Sequence, residues 1–101
     1  MDEWDLQQIK DEMESNEVCF IYLYTPLCGT CQVASKMLTI VSELLPNLRW
    51  GKSNLNYIPE LARGWEIESV PCLVIVKNNK VHEKHYAFHS VPYLYDTLKS
   101  I

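Results

Sequence analysis

Residues 25–31 read Thr-Pro-Leu-Cys-Gly-Thr-Cys, and they place Cys28 and Cys31 three positions apart. The run before them, Val18–Tyr24, is dense in β-branched and aromatic residues and predicts a strand. The run after them, residues 32–45, carries apolar residues at helical spacing and predicts a helix. We expect the inward face of this helix to consist of Val33, Met37, Ile40, Val41, Leu44 and Leu45. The two cysteines are therefore expected at a turn from strand to helix.

The spacing of Cys28 and Cys31 allows the pair to close a small disulfide ring or to open to a dithiol. A cysteine at the start of a helix faces unpaired backbone N–H groups and the positive end of the helix dipole. This environment favours the thiolate, which is the form that attacks disulfides. We expect Cys28, nearest the helix start and the solvent, to be the nucleophile. Cys31 would then attack the mixed disulfide and release the reduced substrate.

Composition limits the classes of function that the chain can have. It has 101 residues, of which 48% are hydrophobic, and this predicts one domain spanning residues 1–101. The net charge is −4 and no basic run occurs, which argues against nucleic acid or an anionic membrane as a partner. No stretch approaches the length of a membrane span. Because the acidic start differs from a secretory signal, the sequence predicts a cytoplasmic protein.

The remaining cysteines and the histidines have simpler interpretations. Cys19 and Cys72 lie in apolar runs, where cysteine behaves as a small hydrophobe, and we expect both in the core. A third redox thiol is the alternative for Cys72. A zinc half-site is the alternative for the Cys-x-x-Cys pair, but a zinc site needs about four ligands and no second pair occurs, so we expect no metal. We expect His82, His85 and His89 to be surface residues, with the first two on opposite faces of a strand.

The rest of the chain shows further periodic segments. Asp5 predicts the cap of a first helix, and residues 48–52 predict a short strand that Gly51 weakens. The later elements are a short helix over 57–63, a strand over Cys72–Lys77, a turn at Asn78-Asn79, a strand over 80–86 and a helix capped by Ser90. The order α-β-α-β-α-β-β-α predicts an α/β fold, a three-layer α/β/α sandwich around a four-stranded mixed sheet.

Two motifs together resemble the thioredoxin family. One is Cys-Gly-Thr-Cys at the first strand-to-helix turn, and the other is Ser69-Val70-Pro71 directly before an apolar strand. The resemblance covers nearly the whole chain and implies a thioredoxin-like fold with a cis Val70–Pro71 peptide bond. It also implies a thiol-disulfide oxidoreductase that reduces protein disulfides through Cys28 and Cys31.

The resemblance further implies a substrate-binding surface and partners. Gly29 and Thr30 would set the geometry of the disulfide ring, and the docking rim for substrates would consist of Leu27, Val70, Pro71 and Ala87. The exposed backbone edge at Val70 would pair with a substrate chain as an added strand. The expected partners are protein disulfide substrates and a thioredoxin-reductase-type electron donor, with a monomeric chain and no cofactor.

Departures from the family pattern leave alternatives open. Tyr22, which we expect in the core, stands where many members carry a buried acid, and Leu27 stands where Trp is familiar. Both substitutions favour slower, specialised work, and a second interpretation is a non-enzymatic redox-sensing adaptor with a thioredoxin fold. A third interpretation is a glutaredoxin-like reductase that depends on a small thiol, because Ser69-Val70-Pro71 resembles the Thr-Val-Pro of that family. Ala87-Phe88-His89-Ser90 replaces its usual glycine-rich stretch.

Overall fold

The computed structural model describes all residues from 1 to 101. Its elements are β1 (Asp2–Glu3), α1 (Leu6–Ser15), β2 (Val18–Tyr24), α2 (Gly29–Leu44), β3 (Arg49–Asn54), a 3₁₀ turn (Leu55–Tyr57), α3 (Pro59–Gly64), β4 (Cys72–Lys77), β5 (Lys80–His85) and α4 (Val91–Leu98). The strands form one sheet in the order β1-β3-β2-β4-β5. Strands β1, β3 and β2 run parallel to one another. β4 pairs antiparallel with β2, and β5 pairs antiparallel with β4. None of the helices has the length and apolar character that crossing a bilayer requires.

The predicted α/β sandwich with a mixed sheet is confirmed, but the sheet has five strands, so the expectation of four was wrong. The missed strand is β1, in which Asp2 pairs with Gly51 and Glu3 pairs with Lys52 at the edge of β3. Both β1 residues are acidic and exposed, so neither alternation nor β-propensity marks them as a strand. Only their pairing with β3, about fifty positions away, makes them part of the sheet.

The two central strands alternate between two buried layers. In β2, Phe20 and Tyr22 face the layer formed with α2 and α4, and Ile21 and Leu23 face the layer formed with α1 and α3. The first layer comprises Phe20, Tyr22, Ala34, Leu38, Val41, Trp50, Leu73, Ile75, Phe88, Leu94 and Leu98. The second comprises Trp4, Ile9, Cys19, Ile21, Leu23, Ile58, Cys72, Val74 and Val76. Strands buried on both faces read as continuous apolar runs, which is how β2 and β4 read in the sequence.

Gly51 marks close packing within β3. A Cβ at this position would overlap the indole ring of Trp4, which is only 2% exposed. Glycine here lets the tryptophan lie against the strand, so it does not interrupt the sheet. The strand therefore runs to Asn54 and is longer than the predicted 48–52.

Helix α2 begins at Gly29, three residues before the predicted start, and its buried face was predicted only in part: Val41 is buried, and Met37 and Leu45 are half-buried against the core. The residues that pack on the sheet are Cys31, Ala34, Leu38 and Val41. Val33, Ile40 and Leu44, which were expected to face inward, are 60%, 47% and 54% exposed. The apolar arc of this helix is wide enough to offer two faces, and the sequence alone does not indicate which one meets the sheet.

Most of the capping and turn predictions hold. The Asp5 carboxylate accepts a hydrogen bond from the Gln8 amide at 2.8 Å, and Ser90 caps α4 in the same manner. Asn78 and Asn79 have φ angles of 53° and 64°, as a tight hairpin turn requires. The short helix expected over 57–63 is present as α3, which begins two residues later at Pro59 and follows a 3₁₀ turn.

Candidate active site

Cys28 and Cys31 form a disulfide at the start of α2, with their Cα atoms 5.1 Å apart. Cys28 is the N-cap residue, and its Sγ accepts a hydrogen bond from the Cys31 amide at 3.1 Å. The Cys28 side of the ring is partly exposed, whereas Cys31 is only 3% exposed. An incoming group therefore reaches Cys28 before Cys31. The hydrogen bond from the Cys31 backbone N–H would also stabilise negative charge on the Cys28 sulfur.

The residues around the ring project into solvent. Leu27 is fully exposed, and a Cβ placed on Gly29 would meet no atom within 4 Å. The Thr30 hydroxyl lies 3.4 Å from Cys28 Sγ. The tip of the β2–α2 loop is thus open on the Cys28 side, with space for a large partner.

An apolar groove lies beside the disulfide. Its volume is about 430 Å³, and it is lined by Thr30, Val33, Ala34, Met37, Pro71, Tyr86, Phe88 and His89. The Val70–Pro71 peptide bond is cis, as the resemblance implied. Among the predicted substrate-binding residues, the groove includes Thr30 and Pro71, whereas Leu27, Gly29, Val70 and Ala87 lie outside its lining.

The groove residues that were not predicted from the sequence lie mainly in α2 and in the segment after β5. Ala87 is exposed, and its neighbours Tyr86 and Phe88 line the groove instead. Residues two apart in an extended chain share a side, so this alternation was a usable signal. Val33 and Met37 were missed because they were placed on the inward face of the helix.

Tyr22 connects the core directly to the disulfide. Its hydroxyl donates a hydrogen bond of 2.6 Å to the backbone carbonyl of Cys31. The side chain is buried, as predicted, and burial raises the pKa of this phenol above its usual value. Tyr22 therefore stays protonated near neutral pH and acts as a hydrogen-bond donor, not as a proton acceptor, behind Cys31.

A second cavity, of about 360 Å³, lies behind the disulfide, and its lining includes Tyr22, Tyr24, Cys31 and Lys52. The Lys52 ammonium lies 5.9 Å from the centre of the Tyr24 ring. The Tyr24 hydroxyl donates to the Glu3 carboxylate at 2.6 Å, and burial together with this bond raises the Tyr24 pKa to about 12. Besides Cys31, this cavity is therefore lined by two phenols, two lysine side chains, a proline and neutral polar groups.

Cys19 and Cys72 are fully buried and reduced, as predicted for core residues. Burial raises the pKa of each thiol to about 11, so both are thiols at neutral pH. Both belong to the layer formed with α1 and α3, on the face of the sheet opposite α2. Neither is placed to exchange with the disulfide.

The histidines of β5 do not point to opposite faces, because the strand contains a bulge. Val81 and Glu83 pair with adjacent residues of β4, which leaves His82 as the extra residue. His82 and His85 consequently both approach the Glu83 carboxylate, at 3.8 and 2.8 Å. No group of three or more His, Cys, Asp or Glu side chains in the chain could hold a metal ion.

Comparisons with known proteins agree with this geometry. A protein-family model described as thioredoxin matches residues 3–99. The chain is 50% identical over 95 residues to thioredoxin-like protein YusE of Bacillus subtilis (strain 168), with 94% of this chain and 90% of that protein covered. It is 23% identical over 77 residues to the mitochondrial thioredoxin-3 of Saccharomyces cerevisiae, with 76% and 61% covered.

Solved structures share the fold at low sequence identity. The oxidized form of mitochondrial thioredoxin 3 from Saccharomyces cerevisiae aligns with a TM-score of 0.85 at 20% identity, covering 100% of this chain and 95% of that one. A mutant thioredoxin from Halobacterium salinarum NRC-1 gives the same score and identity, with 99% and 88% covered. These structures support the architecture of the chain.

Proposed function

The chain belongs to the thioredoxin family, and from that membership we propose that it reduces protein disulfides by dithiol exchange through Cys28 and Cys31. The fold and the paired cysteines already support the broader class of thiol-disulfide oxidoreductase. The observation that carries the proposal is the contrast between the two sulfurs. Cys28 caps the helix and is partly exposed, and Cys31 is buried directly behind it.

The exchange proceeds in two balanced steps. In the reduced protein, the Cys28 thiolate attacks one sulfur of the substrate disulfide, and the other substrate sulfur leaves as a thiolate that takes a proton from water. Cys31 then loses its proton to solvent and attacks the Cys28 sulfur, which breaks the mixed disulfide and releases the first substrate sulfur as a thiol. Two electrons pass to the substrate, and the protein is left with the Cys28–Cys31 disulfide.

Substrate docking uses the groove and its rim. A substrate cysteine held at Cys28 lies next to Thr30, which lines the groove together with Pro71. The backbone at Val70 is available to pair with an extended substrate segment. Leu27 and Ala87 extend the rim at the exposed end, and Gly29 leaves the ring free of a side chain that would block approach.

The cycle requires a partner that supplies electrons. Each turnover oxidises the two cysteines, so a thioredoxin-reductase-type donor restores the dithiol. A reductant of this kind places the protein in a reducing compartment such as the cytoplasm. The chain acts as a monomer and uses no bound cofactor of its own.

Substitution of each cysteine tests the proposal. With dithiothreitol as electron donor, Cys28→Ser should lower insulin reduction to the rate of dithiothreitol alone, because no nucleophile remains at the helix start. Reduced Cys31→Ser, mixed with insulin after dithiothreitol has been removed, should accumulate a mixed disulfide between Cys28 and a substrate cysteine, detectable by mass spectrometry under non-reducing conditions. Cys19→Ala, which removes a thiol on the opposite face of the sheet, is the matched control and should retain turnover.

The outcomes separate the competing functions. Undiminished turnover by Cys28→Ser would exclude the proposed nucleophile. Turnover by the wild-type protein only when glutathione is supplied would favour a glutaredoxin-like reductase. If the wild-type dithiol leaves insulin intact, the result would favour a redox-sensing adaptor.

A further inference from the structure

Large apolar side chains are exposed mainly on one side of the molecule. Of the six that are most exposed, four lie on α2 or in the loop before it, namely Leu27, Val33, Ile40 and Leu44. A fifth, Tyr93 of α4, packs against His89 at the edge of the groove. Single exposed hydrophobic residues are common, but a cluster of this kind marks a binding surface.

Four apolar residues of α2, three of them exposed and Met37 half-buried against the core, form a line along the helix. Val33, Met37, Ile40 and Leu44 follow one another at intervals of four, three and four positions, so they lie on one face. We call these four residues the α2 stripe. It extends for about 16 Å, and no charged side chain interrupts it. The charged residues of the same helix, Lys36 and Glu43, lie along one edge of the stripe, and the residues on its other side pack on the sheet.

The stripe begins inside the groove. Val33 and Met37 line the groove together with Thr30 and Pro71, and Ile40 and Leu44 continue the apolar surface away from the disulfide. A polypeptide with a cysteine at Cys28 that passes through the groove would therefore reach the rest of the stripe along an apolar path that Lys36 and Glu43 border on one side only.

We propose that the α2 stripe docks an apolar segment of the substrate protein, next in its chain to the disulfide that Cys28 attacks. This inference rests on the proposed reductase function and specifies its substrates. An uncharged line of aliphatic side chains favours an apolar partner, because burying charged groups against it would remove their water without compensation. A second copy of the chain seated on the stripe would also cover the groove and shield Cys28, so a substrate segment is the better occupant.

Two synthetic peptides test the proposed preference. Both contain the same disulfide ring, followed by a segment of about eleven residues, which as a helix matches the length of the stripe. One segment is an amphipathic helix with leucines along one face, and the other has serine in place of each leucine. Reduced protein is mixed with each peptide, the reaction is quenched with acid, and peptide thiol is quantified by mass spectrometry. Ellman's reagent, a small disulfide, measures the reactivity of the dithiol alone.

We expect the wild-type protein to reduce the leucine peptide roughly tenfold faster than the serine peptide. The double variant Ile40→Gln with Leu44→Gln should lose most of this preference and should react normally with Ellman's reagent, because both positions lie outside the groove. Glu43→Gln, which changes an exposed charge at the edge of the stripe and leaves its apolar residues intact, is the matched control and should keep the preference.

Other results would overturn the inference. Equal rates for the two peptides, or an unchanged preference in the double variant, would show that the stripe does not bind substrate. A wild-type dimer in sedimentation velocity that the double variant converts to a monomer would assign the stripe to a second copy. If the wild-type dithiol reduces neither peptide nor Ellman's reagent, the reductase function itself fails, which is a distinguishable result.

Discussion

At the scale of single residues, Tyr22 shows how a core side chain can serve a redox site. Its ring fills the layer between the sheet and α2, and its hydroxyl holds the carbonyl of Cys31. The hydrophobic pattern of β2 predicted the burial of this residue. The hydrogen bond depends on how far α2 lies from β2, which no local pattern specifies.

Removing that hydroxyl should weaken the protein without changing its fold. Tyr22→Phe keeps the ring and loses a buried hydrogen bond, so we expect the free energy of unfolding to fall by about 1 kcal/mol. Urea denaturation followed by circular dichroism measures the change. Tyr24→Phe, which loses a hydrogen bond to the exposed Glu3 carboxylate, is the control. Its free energy of unfolding should fall by a smaller amount. A larger loss in the control would contradict the role given to Tyr22.

At the scale of elements, the sequence predicted strands buried on both faces more accurately than amphipathic helices. The bounds of β2 and β4 agree with the structure, because a continuous apolar run leaves no choice of face. In α2, two apolar faces compete, and the face that packs is selected by contact with Phe20, Leu73 and other residues far away in sequence. β1 was missed for the same reason, since it is a strand only through its partner.

The packing of Trp4 on β3 predicts a large effect from a small substitution. Gly51→Ala places a methyl group inside the indole, so the tryptophan or the strand must move, at a cost of about 1–3 kcal/mol. Urea denaturation measures this loss of stability. Gly64→Ala, at the end of α3 with no atom near the added carbon, should change the free energy of unfolding little. Equal stabilities of the two variants would show that β3 tolerates a side chain beneath Trp4.

An ion pair between α1 and β3 should make stability depend on pH. Arg49 donates two hydrogen bonds, of 2.6 and 2.8 Å, to the Glu12 carboxylate. These bonds hold the pKa of Glu12 below its usual value in the folded protein. The stabilisation is therefore complete above the unfolded-state pKa of about 4.3 and is lost as the pH falls through the folded-state pKa.

Glu12→Gln tests this dependence. Because Arg49 is 43% exposed, the loss at pH 7 should be about 1 kcal/mol or less. The difference in unfolding free energy between wild type and variant should shrink as the pH is lowered from 5 toward 3. Glu14→Gln, at an exposed position of the same helix that forms no ion pair, serves as the control. A difference that stays constant over this pH range would exclude the ion pair as its source.

At the scale of the whole molecule, the redox site is assembled from distant parts of the chain. Thr30 and Pro71 line one groove, although forty-one positions separate them. The sequence predicted both, because each belongs to a motif that resembles the thioredoxin family. Phe88 and His89 belong to no such motif, and they reach the groove only because the segment between β5 and α4 turns toward α2.

The disulfide closes a very short ring at the edge of this assembly, so its reduction should lower stability and leave the fold intact. The two buried layers do not depend on the bond. A ring of this size removes conformational entropy from the unfolded chain, which stabilises the folded state by about 2 kcal/mol. Urea denaturation with and without dithiothreitol should show a lower midpoint for the reduced protein. Cys31→Ser, which cannot form the ring, should give the same midpoint in both conditions. A reduced wild-type protein as stable as the oxidised one would mean that the oxidised site contains compensating strain.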